Sequence, residues 1–408
     1  MRRGTNLPAV GTFNHTVVLD AIRRNTEPVS RKEISATTGL ALQTVRNAVE
    51  KLLADGLITE AGKRINGPGK PEMLFELNSE GRFALGVHLD PTIITYVVLD
   101  LRGRIVAESM MHMPPEGEPE EIIATIGAAL DRLIDDSGVD RTRILGIGIA
   151  TPGPLDPANG VILDPPLLPR WRNVPVRDAL SAATGFPVIL EGGPTAAAIA
   201  ELWLGGAVAH DDFVFFFLGS GIGFGLVLDG QVRRGSSGNA GSGGTLFVPV
   251  DGLGGGRRVD MLGRLATPQF VVAQAVADGV VDKPVPENDT TAIERQFDRL
   301  LALADGGDGA AVRILDRAAD LIATALVSTV NVLDMEEIIF GGPFWARVEE
   351  RFLPRIAAIV DHSPDRETRH PIRMSSSKVH GDVVAIGAAC LVLDDTLSPR
   401  PTDLLITV

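Results

Sequence analysis

Chemistry would first be expected where a strand hands over to a helix. Residues 190–202 of this 408-residue chain read LEGGPTAAAIAEL. An apolar run, FPVIL, leads in as a buried strand, and an alanine-rich run leads out as a helix. Open α/β sheets place ligands at such junctions, and acid–base work there needs carboxylates or amides. This junction carries one acid, Glu191, followed by Gly192, Gly193 and Pro194. A second constellation is Gly219-Ser220-Gly221-Ile222-Gly223, with Gly225 beyond it. Its backbone amides could approach a phosphate, and a tight hairpin between two strands fits the spacing equally. The third is Gln43, Thr44, Arg46 and Asn47, side chains that read base edges in a major groove. Lys63, Arg64 and Lys70 follow in a stretch without acids, suited to phosphates or the minor groove.

The elements that must position the third set are legible. NHTVVLDAIRRN, residues 14–25, puts Val17, Val18, Ala21 and Ile22 on one helical face. Ser30 and Glu33 form an S-x-x-E capping box. Gly39 stands where a tight turn between helices needs positive φ. In ALQTVRNAVEKLLADGLI, Val45, Ala48, Val49 and Leu52 face inward, so Gln43, Thr44, Arg46 and Asn47 face out, and Asp55-Gly56 ends the helix. A short strand, LITE, a basic Gly/Pro-rich loop and a second strand, LFEL, make a wing. Three helices and this hairpin form a winged helix-turn-helix, whose second paired helix enters the major groove. A small helical docking module with a solvated polar face is the plainer alternative. Turn, cap, polar face and basic wing agree on DNA, with Arg31 beside the cap as a further contact.

Charge supports the division. The chain carries a net −14, which argues against uniform affinity for nucleic acid or membranes, yet residues 1–80 are net +2 and the remainder net −16. At 45% hydrophobic and 22% charged, the chain is globular. Cys390 is the lone cysteine, which excludes an intrachain disulfide and a thiolate zinc cluster, and the seven histidines lack metal spacing. No metal or other cofactor is therefore expected. No apolar run approaches a membrane span and the N-terminus lacks a signal core, so a cytoplasmic protein is expected. From Phe83 onward, strands and amphipathic helices alternate in two similar α/β halves with mixed sheet pairing.

From about Asn14 to about Leu397 the chain resembles transcriptional regulators of the ROK family (repressors, open reading frames, kinases). The resemblance rests on GPGKPEMLFELNSEGRFALGVHL, GIGIATPGPLDPANGVI, LGSGIGFGLVLDGQVRRG and IIFGGPF, in that order. It implies an N-terminal winged helix-turn-helix followed by a two-lobed, actin-like (ribonuclease H-like) ATPase/sugar-kinase fold. The expected domains are 1–80 for DNA binding, 81–200 for lobe 1, completed by a C-terminal helix at about 383–397, and 201–382 for lobe 2. Family kinases carry Asp-x-Gly-Gly-Thr for phosphate and metal; the matching stretch is His88-Leu89-Asp90-Pro91-Thr92. They carry Glu-Asn-Asp-Ala-Asn at the junction, with its Asp the general base; here Gly193 stands in that place. The family's Ala-Gly-Glu-x-Gly-His segment is Ala240 to Thr245, the expected cysteine cluster is DGLGGGRRVDML, and the Asn before the loop Trp171 is Leu167.

The resemblance therefore implies a DNA-binding transcriptional regulator, a repressor of carbohydrate-related genes, without kinase activity or zinc. Its partners would be a double-stranded DNA operator and a sugar or sugar-derivative effector, and it would form a homodimer or homotetramer. Gly153, Glu191, Gly192, Gly193, Asn239, Ser242 and Thr245 would line a divergent effector pocket. The junction glycines serve either that pocket or backbone geometry alone. An active sugar kinase and an effector-blind constitutive DNA binder are the rival readings.

Overall fold

The computed structural model describes residues 7–65, 71–114, 117–166, 168–205, 212–251, 257–282, 285–286 and 289–398. The N-terminal region holds α1 (Leu7–Arg23), β1 (Val29–Ser30), α2 (Arg31–Thr38), α3 (Leu42–Ala54), β2 (Ile58–Arg64) and β3 (Glu72–Leu77). The capping box forms: the Glu33 amide donates to Ser30 Oγ at 3.3 Å and the Ser30 amide to Glu33 Oε2 at 2.8 Å. Such a cap contributes about 1 kcal/mol. Gly39 ends α2 with φ 71°, in the left-handed region that favours glycine. Val18, Ile22, Ile34, Val45, Val49, Leu52 and Phe75 close the core.

Three features differ from the sequence reading. α1 begins seven residues before Asn14. The wing strands outrun LITE and LFEL, because their ladder continues to Arg64 opposite Glu72. Val29 and Ser30 add a short strand against β3, giving the order β1-β3-β2; two residues are too few for a periodicity to reveal.

The body repeats one topology. The first lobe contains β4 (Phe83–Leu89), β5 (Ile93–Asp100), β6 (Ile105–His112), α4 (Pro119–Ser137), β7 (Ile144–Thr151), β8 (Leu155–Asp156), β9 (Val161–Ile162), α5 (Val176–Thr184), β10 (Val188–Gly192) and α6 (Gly193–Leu204). The second contains β11 (Phe213–Leu218), β12 (Ile222–Leu228), β13 (Gln231–Val232), β14 (Phe247–Asp251), β15 (Arg257–Met261), α7 (Gly263–Ala266), α8 (Pro268–Ala277), α9 (Thr290–Asp305), α10 (Gly309–Leu333), β16 (Glu337–Gly341), α11 (Trp345–His362), β17 (Arg373–Ser376) and α12 (Val383–Leu397). The main sheets run β10-β7-β4-β5-β6 and β13-β12-β11-β16-β17. In each, three antiparallel strands come first and two parallel strands extend the other edge. FVFFFL is apolar throughout because β11 is central and buried on both faces.

Two helices tie the lobes together. α6 leaves the first lobe and runs across the boundary expected at residue 200, while α12 returns from the second. α12 lies on β4, β7 and α6, and glycines permit the approach. A Cβ on Gly86 would sit 2.1 Å from the Ala385 carbonyl oxygen, and one on Gly148 1.8 Å from that of Ala388. On Gly387 it would sit 1.8 Å from the Ala196 oxygen. The runs TAAAIA and VAIGAAC thus encode a close helix crossing, bought with small side chains.

Candidate functional site

The outer face of α3 is built by default. Val45, Ala48, Val49 and Leu52 are buried, which leaves Gln43, Arg46 and Asn47 exposed and Thr44 half-buried. The exposed residues are held in two one-turn pairs. Gln43 Nε2 donates to Asn47 Oδ1 at 2.8 Å, and Arg46 Nε to Glu50 Oε1 at 2.9 Å. Lys63 is exposed on the wing. Arg64 is committed to Glu33 at 2.5 Å, which fastens the wing to the start of α2. The Arg31 guanidinium lies over the Phe75 ring at 4.7 Å. Lys70 lies outside the described residues.

The β10–α6 junction presents less free polarity than its sequence suggests. Glu191 is 2% exposed; it accepts from Arg234 Nε at 2.6 Å and from the Gly192 amide at 2.9 Å. Asn239 clamps β8, accepting from the Leu155 amide and donating to its carbonyl, each at 2.7 Å. Its Oδ1 is 3.5 Å from where a Gly153 Cβ would stand. Ser242 donates to the Asn239 carbonyl at 3.3 Å, and Thr245 to that of Ser242 at 2.7 Å. The expected effector residues therefore gather around one loop, with most of their polar atoms already engaged. Gly192 has φ −76°, and Cβ atoms at Gly192 and Gly193 would meet nothing closer than 3.9 and 3.7 Å. Backbone geometry does not demand glycine at either position. Arg234 was legible only as part of QVRRG; nothing local marks it as the partner of Glu191.

The polar chemistry lies at the other crossing helix. Asp382 caps α12, accepting from the Val384 and Ala385 amides at 3.0 and 3.1 Å. It also binds His88 Nδ1 at 2.8 Å through Oδ2. His88, at the end of β4, is 6% exposed. Burial alone would raise the Asp382 pKa; the His88 charge and hydrogen bond, with the helix amide, outweigh it and bring it to about 2. Burial alone would lower the His88 pKa, and the charges of Asp382 and Asp90 with the Asp382 hydrogen bond raise it instead. The pair lines two cavities of about 370 and 270 Å³ between the lobes. Neither is lined by Gly153, Glu191, Gly192, Gly193, Asn239, Ser242 or Thr245. Among the described residues no group of three or more His, Cys, Asp or Glu side chains is placed to hold a metal ion. Leu167, which stands for the family Asn before Trp171, and residues 252–256, in the stretch that replaces the family cysteine cluster, lie outside the described residues. No described helix is long and apolar enough to cross a membrane.

Known proteins share this fold. The ROK family matches residues 84–264. The chain carries a ROK family domain. A xylose repressor of Caldicellulosiruptor bescii is 24% identical over 390 residues, 95% of this chain and 96% of the repressor. A solved ROK family transcriptional regulator, a homologue of the E. coli MLC protein, superposes with a TM-score of 0.76 at 22% identity, covering 95% of this chain and 98% of its own. A ROK family glucokinase from Streptomyces griseus, solved with glucose and AMPPNP, gives a TM-score of 0.62 at 26% identity and covers 76% of this chain and 98% of its own.

The two-lobed body meets the N-terminal region through its crossing helices. The Arg23 guanidinium, at the end of α1, lies 4.0 Å from the ring centroid of Trp203 on α6. The Trp203 indole N–H donates to Asp394 Oδ1 on α12 at 3.4 Å. Asp20 accepts from Arg23 Nη2 at 2.7 Å and fixes its direction. One arginine of the N-terminal region thus rests on an α6 side chain that is itself bonded to α12.

Proposed function

We propose that this chain is a cytoplasmic, DNA-binding transcriptional repressor of carbohydrate-related genes, responsive to a sugar or sugar derivative and without kinase activity. The observation that carries the reading is the α2–Gly39–α3 unit, with Gln43, Arg46 and Asn47 exposed on α3 beside a paired wing. That unit stands on a body whose junction offers glycine where a kinase needs a base. The likeness to a named xylose repressor spans nearly the whole chain, while the glucokinase likeness covers 76% of it. Residues 1–80 form the DNA-binding domain; the two lobes follow, assembled as a homodimer or homotetramer.

An effector at the Gly153–Asn239 loop would touch Ser242 and Thr245 and would reach Glu191 only by displacing Arg234. Any shift of α6 against α12 would be felt at Arg23, which supplies a route from lobes to operator. A ligand drives such a shift only if it prefers one arrangement.

The test is selection of bound DNA from a random pool with the full chain, repeated with candidate sugars. Enrichment of two half-sites separated by a whole number of helical turns, lost when one sugar is added, is expected. Arg46→Ala should weaken the selected operator about tenfold or more and relax preference at one base pair. Lys63→Ala should weaken all sequences alike. Recovery of no preferred sequence overturns the reading.

A further inference from the structure

The larger interlobe cavity is acidic and half-walled with apolar surface, which is the wrong chemistry for a nucleotide. Asp90, Glu108, Glu294 and Asp382 contribute carboxylates, and no lysine or arginine lines it among the described residues. Pro91 removes a backbone amide from the β4–β5 turn, and the Asp90 carboxylate accepts the Thr92 amide at 2.9 Å, taking a donor that a phosphate would need. Ile93, Ile293 and Phe344 supply the apolar wall.

Two of the four acids are already paired with a cation. Asp382 is held by His88 and the α12 amides. Glu294 shares Arg347 at 3.4 Å. Glu108 is exposed on β6 and has no cationic partner among the described residues, while Asp90 has no ion pair there beyond the nearby charge of His88. A third group faces the same space. His88 is more than nine-tenths buried, and Asp382 engages only its Nδ1, so its Nε2 has no partner among the described residues. The Asp382 charge and hydrogen bond that raise the ring's pKa favour its doubly protonated form, in which Nε2 is a donor. A cavity of about 370 Å³ with an apolar wall and a few convergent polar groups has the dimensions of a small-molecule site.

We infer that this cavity binds a small organic ammonium ion with an apolar body and one hydroxyl or carbonyl oxygen. The ammonium pairs with Glu108 and Asp90, the body lies on Ile93, Ile293 and Phe344, and the oxygen accepts from His88 Nε2. The assignment is independent of the repressor reading, because it is tested by direct binding without DNA.

Calorimetric titration of the full chain uses three probes: tyramine, 4-ethylphenol (the same ring and hydroxyl without the ammonium) and magnesium ATP. Tyramine should bind at least about tenfold more tightly than 4-ethylphenol, since a hydrogen bond to a charged group contributes that much. ATP should give no binding. E108Q and D90N should each weaken tyramine about tenfold. Both variants should fold, because Glu108 is exposed and Asn at 90 keeps the oxygen that accepts from Thr92. Equal binding of tyramine and 4-ethylphenol, preference for ATP, tyramine binding untouched by E108Q, or no tyramine binding at about 1 mM overturns the inference.

Discussion

At β10–α6 the first lobe hands its edge strand to a crossing helix through Glu191, Gly192 and Gly193; at β17–α12 the second lobe does the same through Gly381 and Asp382. Strand order and helix placement make the two junctions equivalent, and their chemistry is opposite. The first has no side-chain cap, and its single acid is folded back under Arg234. The second has a carboxylate that caps its helix and binds a buried histidine from the other end of the chain. A junction poor in free polar groups does not leave the whole cleft without them. The cavities follow the capped junction.

Packing gives the sharpest test of this contrast. Gly387→Val would drive a side chain into the Ala196 carbonyl and should cost about 3 kcal/mol or more, or abolish cooperative unfolding in urea. Gly193→Ala has room for its methyl and should change stability by less than about 1 kcal/mol. Equal sensitivity at the two glycines would break the distinction between a crossing that needs glycine and a junction that does not.

The capped junction should be the next most sensitive. Asp382→Ala removes two amide acceptors and strands His88, at a cost of about 2–4 kcal/mol. The sign of the pH dependence follows from the two shifts. Asp382, depressed to about 2, stabilises the fold above its unfolded value of about 3.9 and loses that as pH falls through 2. His88, raised, stabilises below its unfolded value of about 6.5 and loses that as pH rises through its folded pKa. The stability gap between the parent and Asp382→Asn should therefore be widest between about pH 4 and 6.5, and a gap that grows above that window would contradict the pairing.

Arg234→Ala should cost less, about 1–3 kcal/mol, because Arg234 is 38% exposed on its side chain and water can partly replace it over Glu191. Rescue by Glu191→Gln in the same chain would show that the penalty is an unpaired buried acid. The smallest effect is expected from Gly193→Asp, which restores the type of residue a family kinase uses. Asp90 and Pro91 still occupy the phosphate turn, so ATP-dependent sugar phosphorylation should stay at background. A rise of about a hundredfold in a coupled assay would show that only the base was missing.

Much of the fold was legible because its signals are short-range. The Ser30–Glu33 box, the Gly39 turn and the inward face of α3 each rest on residues spaced no more than four apart along the chain, and all form. The β1 pairing was not, since Val29 finds Phe75 only after the wing has closed. The site was less legible. Residue type offers Glu191, Asn239, Ser242 and Thr245 as polar contacts for an effector, but it does not reveal that each already has a partner.

Residue type and spacing fix the alternation of the longer strands and helices, the polar face of α3, the basic wing against an acidic body, and the glycine at the position of a family kinase's base. Only the tertiary structure decided that His88 meets Asp382 across 294 residues, that Arg234 covers Glu191, and that Arg23 reaches Trp203. Those contacts exist because two similar sheets are joined by helices that cross at Gly387 and Ala196. Hydrophobic periodicity can say which face of a helix is buried, but not which distant residue it is buried against.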